Sequence, residues 1–194
     1  MRQGIVFVTL LSGLLFYAPT AASQESFSWG LNSLRNAASA MLDWFENLSQ
    51  QINEIANNEE RRRITVALTD LSESMYGLEQ NSRYLLEALE RPSVSEGEVS
   101  RYISATESSL LDVRSKLEAV GLSLREQYRA GGFEAEREIS SAFGSRAGFL
   151  YELKDTIRSE SPVPNDLIQQ GRATLEAISA ANEELLKVIG SLQT

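Results

Sequence analysis

From Phe27 to Ile55, apolar residues recur at alternating steps of four and three without a miss: Phe27, Leu31, Leu34, Ala38, Met41, Phe45, Leu48, Ile52 and Ile55. That spacing holds one stripe of a helix against partner helices and leaves the opposite side to water. Leu42 and Trp44 flank the stripe and widen it, which suits a bundle better than a two-stranded coiled coil. A half-buried strand needs alternation with a period of two, and no stretch of this chain keeps that up.

The pattern repeats along the chain. A second seam runs Ile64, Leu68, Leu71, Met75, Leu78, Leu85 and Leu89, with Ser82 as its one polar step. Ile55 and Ile64 stand nine residues apart, about 180° of rotation on a straight helix, so the apolar face would flip between the two seams. Only Val66 stays on the old face. The intervening ANNEERRR sets Asn57 three residues before Glu60, a capping box, and Asn tolerates the left-handed backbone of a tight turn. A turn at Asn57–Asn58 is predicted. Arg91-Pro92-Ser93 ends the second helix, and Ser95-x-x-Glu98 opens a third. That third helix carries Val99, Ile103, Thr106, Leu110, Val113, Leu117, Val120 and Leu124, and Ala130-Gly131-Gly132 is expected to end it. A fourth carries Ile139, Phe143, Ala147, Leu150, Leu153 and Ile157, up to the break at Ser161-Pro162-Val163-Pro164. The last seam is Leu167, Ile178, Ala181, Leu185, Val188 and Leu192. Gly171 and Thr174 weaken its first half, where Ile168 and Leu175 stand slightly around the cylinder.

The predicted fold is therefore all-α. It is an elongated antiparallel bundle of four to five long helices, over roughly 28–56, 58–90, 95–129, 134–159 and 164–193. Short loops would make consecutive helices antiparallel neighbours.

Ahead of the seams, Arg2 and the uncharged, mostly apolar run Gly4–Ala18 precede Pro19 and the small residues Thr20-Ala21-Ala22-Ser23. A membrane-spanning helix needs about 20 apolar residues, and this run is shorter. Residues 1–23 read as a secretory signal peptide cut after Ala22 or Ser23, leaving 24–194 as one bundle domain with no stable membrane insertion. No cysteine follows the run, which closes the lipoprotein route.

Removing residues 1–23 takes away Arg2 and no acid, leaving 17 basic against 27 acidic side chains and a formal charge of −10. Phosphate backbones and anionic lipid surfaces reward clustered Lys and Arg, so nucleic acid is not an expected partner. Arg61-Arg62-Arg63 is the one basic run. Successive helical residues point about 100° apart, so the run smears around the cylinder and reads as a solvated helix start. An exported chain without cysteine has no disulfide staples, which points to a bacterial periplasm, or secretion, ahead of a eukaryotic route. The Asn47-Leu48-Ser49 sequon reads as chance.

The chain also has no histidine. The commonest general base and the commonest transition-metal ligand go together, and the absence of cysteine removes the thiolate nucleophile and Zn–S sites. No Ser-His-Asp triad and no glycine-rich phosphate loop can be assembled, so an enzyme is not expected, nor a metal or cofactor. Carboxylates remain, densest at Glu134, Glu136 and Glu138. Glu134 and Glu138 would share a helix face, and acids in a first turn answer the macrodipole without any catalytic role.

Two irregularities carry the functional expectation. Gly144 and Gly148 lie four apart on one face of the fourth helix, beside Phe143, Phe149 and Tyr151. Each glycine costs about 1 kcal/mol against alanine, so the pair reads as a notch for a bulky neighbour such as Trp44, or as a hinge. Trp29, Tyr76, Tyr84, Leu111, Leu122 and Tyr128 fall off the seams, on faces a bundle leaves wet. The leading expectation is an exported, non-catalytic protein that binds a protein partner or itself as an adaptor, scaffold or envelope-complex component. The alternative is a carrier or sensor holding a small apolar ligand or lipid between helices, lined by Phe143, Phe149, Tyr151 and Trp44.

Overall fold

The computed structural model describes residues 21–51, 58–93, 95–124, 132–138 and 163–193, with only the backbone described for 21–31 and 33. Every regular element among them is helical: α1 (Ala21–Gln51), α2 (Asn58–Leu89), α3 (Glu96–Ser123), a helical stretch over 132–138, and α4 (Asn165–Gln193). At about 1.5 Å per residue the four long helices run roughly 42–48 Å, the elongation the seams predict. The apolar leader and the turn residue Asn57 lie outside the described residues.

The seams face inward as expected. Leu34, Ala38, Met41, Phe45 and Leu48 of α1 are buried, as are all seven apolar seam positions of α2 and all eight seam positions of α3. Val66, the one residue left on the old face, is exposed. The two seams of α1 and α2 thus occupy separate helices that run in opposite directions. Leu34, near the middle of α1, shares a cavity with Leu85, Leu86 and Leu89 at the C-terminal end of α2. One unbroken helix would hold Leu34 and Leu86 about 78 Å apart.

Cross-helix contacts fix the directions of the rest. Arg61 reaches Ser191, Asn182 reaches Glu79, and Arg172 meets Glu90, so α2 and α4 are antiparallel. Arg63 reaches Ser123, Asn81 reaches Ser109, and the Tyr84 ring lies by Tyr102, so α2 and α3 are antiparallel too. One prediction needs correcting here. Consecutive α1 and α2 are not side by side: among the described residues α1 packs on α4, α4 on α2, and α2 on α3. Six residues separate Gln51 from Asn58, and a link of that length reaches about 20 Å. Neighbouring helices pack only 8–10 Å apart, so α2 can take the diagonal position and leave the α1 flank to α4.

Helix ends show how the sequence is punctuated. Ser95 caps α3 as predicted, its Oγ accepting the Glu98 N–H at 3.2 Å, while the Glu98 carboxylate takes Arg91 Nη1 at 2.7 Å. α3 stops at Ser123, well before the predicted 129, because Leu124 turns extended (φ −92°, ψ 152°) and tucks its side chain into the core. Arg63 donates to the Ser123 carbonyl at 3.2 Å, and Arg61 to the Ser191 carbonyl in the last turn of α4 at 3.3 Å. The arginine run is thus more than a solvated helix start. Being about 200° apart on α2, Arg61 and Arg63 cap the C-terminal ends of both neighbours, where orphan carbonyls and the dipole favour a cation.

Gly132 is a second correction. It does not end a helix but lies in the helical stretch 132–138, buried, where an added Cβ would sit 3.0, 3.2 and 3.3 Å from three ring carbons of Trp44. Gly132 thus forms a notch for Trp44.

Candidate functional site

The core is split in two. The larger cluster joins α1 to α2 up to Leu78, α3 from Leu110 and α4 from Ile178. A smaller one joins Leu85, Ala88, Leu89, Val99, Ile103 and Leu167. Between them lies the layer where the seams are interrupted. Ser82 from α2, Thr106 from α3, and Gly171 and Thr174 from α4 line one cavity there. Its walls are leucines: Leu34, Leu85, Leu86, Leu89, Leu167 and Leu175. The cavity is small, about 30 Å³, enough for about two water molecules. Thr106 and Thr174 each donate to the carbonyl four residues back, at 2.9 Å. The Ser82 Oγ is buried and has no hydrogen-bond partner.

The outer surface at the same end carries a second feature. The Tyr84 and Tyr102 rings lie 6.0 Å apart, and the Arg101 guanidinium stands 5.0 Å over the Tyr102 ring and donates to its hydroxyl at 3.2 Å. Tyr102 packs against the smaller core cluster, which fixes the platform, while Tyr84 is 45% exposed. Of the off-seam residues, Tyr76, Leu111 and Leu122 are exposed as expected, joined by Phe133 and Leu186. The side chains of Trp29 and Tyr128 lie outside the described residues. Sequence reasoning singled out Tyr84 but missed Arg101 and Tyr102, whose signal was an Arg-Tyr pair nearly two turns from the Ser95 cap.

The remaining predicted residues divide cleanly. Trp44 is buried, 5.3 Å by ring centroid from Phe45, and serves packing. Phe143, Gly144, Gly148, Phe149 and Tyr151 lie outside the described residues. Glu134 and Glu138 do share a face, both lining a polar groove beside Asn36, Asp43 and Asn47 of α1. Arg137 bridges them at 3.2 and 3.6 Å. On α4, Lys187 is held charged above its ordinary value by its hydrogen bond to Glu184 and the attraction of that carboxylate. Among the described residues no group of three or more acidic side chains is arranged to hold a metal ion, and no helix is long and apolar enough to cross a membrane. No protein-family model, curated protein or solved structure matches the chain.

Proposed function

We propose that this is an exported, non-catalytic helical-bundle protein that works by binding another protein. The Tyr84–Tyr102–Arg101 cluster carries the reading. Tyrosine and arginine dominate the energetics of protein interfaces, because they bring large contact area and directed hydrogen bonds at little entropic cost. Here Tyr102 is packed against the smaller core cluster, with the exposed Tyr84 ring and Arg101 guanidinium beside it. The apolar leader supports export, the lack of histidine and cysteine supports a non-catalytic role, and the negative charge favours a partner with a basic rim around an apolar centre. A photo-crosslinking residue substituted for Tyr84 tests it in the native host's envelope. Capture of one discrete protein, or of a second copy of the chain, at this position and not at Leu111 is the expected result. Equal labelling at both positions would remove the reading.

A further inference from the structure

We propose that the outer face of α3 is a self-docking surface, on which a second copy of the chain lays its own α3 antiparallel. The inference stands apart from the Tyr84 surface and shares only Arg101 with it. Away from its buried seam, α3 carries a second stripe that runs by steps of four and three from Gly97 to Leu122. All eight of its positions are exposed, Leu111 by 51% and Leu122 by 72%. Such spacing is what one helix presents to another in a two-stranded pair. Among the described residues α3 packs only on α2. It does so through Tyr102, Ser109, Asp112 and Lys116, none of which belongs to the stripe.

The stripe is complementary to itself, which is what selects a second copy. Turned about a two-fold axis between Ser109 and Leu110, a second α3 brings Glu118 opposite Arg101 at both ends. The two ion pairs stand about 13 Å either side of the axis. Between them Ser104 meets Ser115 and Leu111 meets Ser108, while beyond them Leu122 comes over Gly97. No like charges face each other within the stripe. Each leucine lands on a small residue, so the helices can close to the short end of the usual 8–10 Å spacing. Gly97 has open space where its own chain would meet a Cβ. Glu118 has no ion-pair partner among the described residues, and Arg101 spends one of its five donors on the Tyr102 hydroxyl. Both are therefore available to a partner. Because one patch serves both copies, the contact closes at a dimer.

The test is sedimentation equilibrium of the mature chain, residues 24–194. Salt at about 0.15 M screens the repulsion between two chains of formal charge −10 beyond about 8 Å. A bulky group at Leu111 would pry apart a seam that closes on serines, so the pairing is read by mass and not by capture there. A monomer–dimer equilibrium with a Kd below about 1 mM is expected, with no larger species. Arg101→Glu sets two glutamate pairs face to face, and Glu118→Arg sets two arginine pairs. Each should weaken the dimer by about 10-fold or more. Mixed together, the two variants should form a heterodimer within about 3-fold of wild type, because every charge then meets its opposite. Tyr84→Ala should leave self-association within about 2-fold, which separates this proposal from the Tyr84 surface. Circular dichroism checks that all variants are equally helical. A chain that stays monomeric up to about 1 mM would overturn the proposal and leave the face to solvent or to another protein. So would a dimer indifferent to both charge reversals, or two reversed chains that fail to pair with each other.

Discussion

Replacing Gly132 with alanine tests how the 132–138 stretch docks on α1. Elsewhere in this bundle the same change should help. At Gly190, helical and exposed, an added Cβ meets nothing within 4 Å, so Gly190→Ala should stabilise by about 0.5–1 kcal/mol through helix propensity and a less flexible unfolded chain. At Gly132 the Cβ arrives 3.0 Å from Trp44 Cζ2, with two further ring carbons inside 3.3 Å. That indole is 3% exposed and packed beside Phe45, so it has little room to retreat. Overpacking of this kind costs about 1–3 kcal/mol, against a propensity gain of about 1 kcal/mol. The net expectation is a loss of about 0–2 kcal/mol, hence a gap of about 0.5–3 kcal/mol between the two variants. Urea unfolding followed by tryptophan fluorescence reads it from the midpoints, provided the slopes agree. A Gly132→Ala protein as stabilised as Gly190→Ala would show that Trp44 does not fill that space, and the docking described here would be wrong.

Three further outcomes are expected. Arg63→Gln and Arg61→Gln should each cost about 0.5–1 kcal/mol by losing a carbonyl cap, while Arg62→Gln stays within about 0.5 kcal/mol, all read by urea midpoint. Asn182→Leu should leave stability equal or raise it by about 1 kcal/mol, because the Asn182 Oδ1 is buried without a partner and its one amide bond goes to Glu79, which Arg83 already serves. N-terminal sequencing of protein from the native host should begin near Ser23 or Gln24, and a retained Met1 in the membrane fraction would refute the export reading.

The bundle was legible because helix faces are written locally. A run such as Val99, Ile103, Thr106, Leu110 states which side of α3 is buried whatever its neighbours are, and the structure buries all four. Which helices become neighbours is not local. Among the described residues α1 packs on α4 and not on α2, and nothing in either seam names that partner. The cavity was half legible. Ser82, Gly171 and Thr174 each interrupt a seam in the sequence, but only the antiparallel register of α2 and α4 brings Gly171 to Leu86 and so closes the layer. The carbonyl capping by Arg61 and Arg63 was not legible for a similar reason. Their partners are helix ends that are 60 and 130 residues away in the chain.

Binding through the Tyr84–Tyr102–Arg101 surface is the central claim, and one affinity comparison tests it most directly. The partner captured at position 84 is titrated against the wild-type chain and against Tyr84→Ala/Arg101→Ala, with circular dichroism confirming that both are equally helical. Loss of an aromatic and an arginine anchor should weaken binding by about 30-fold or more, since such anchors carry about 2 kcal/mol or more. A double variant that binds within about 2-fold of wild type would contradict the account.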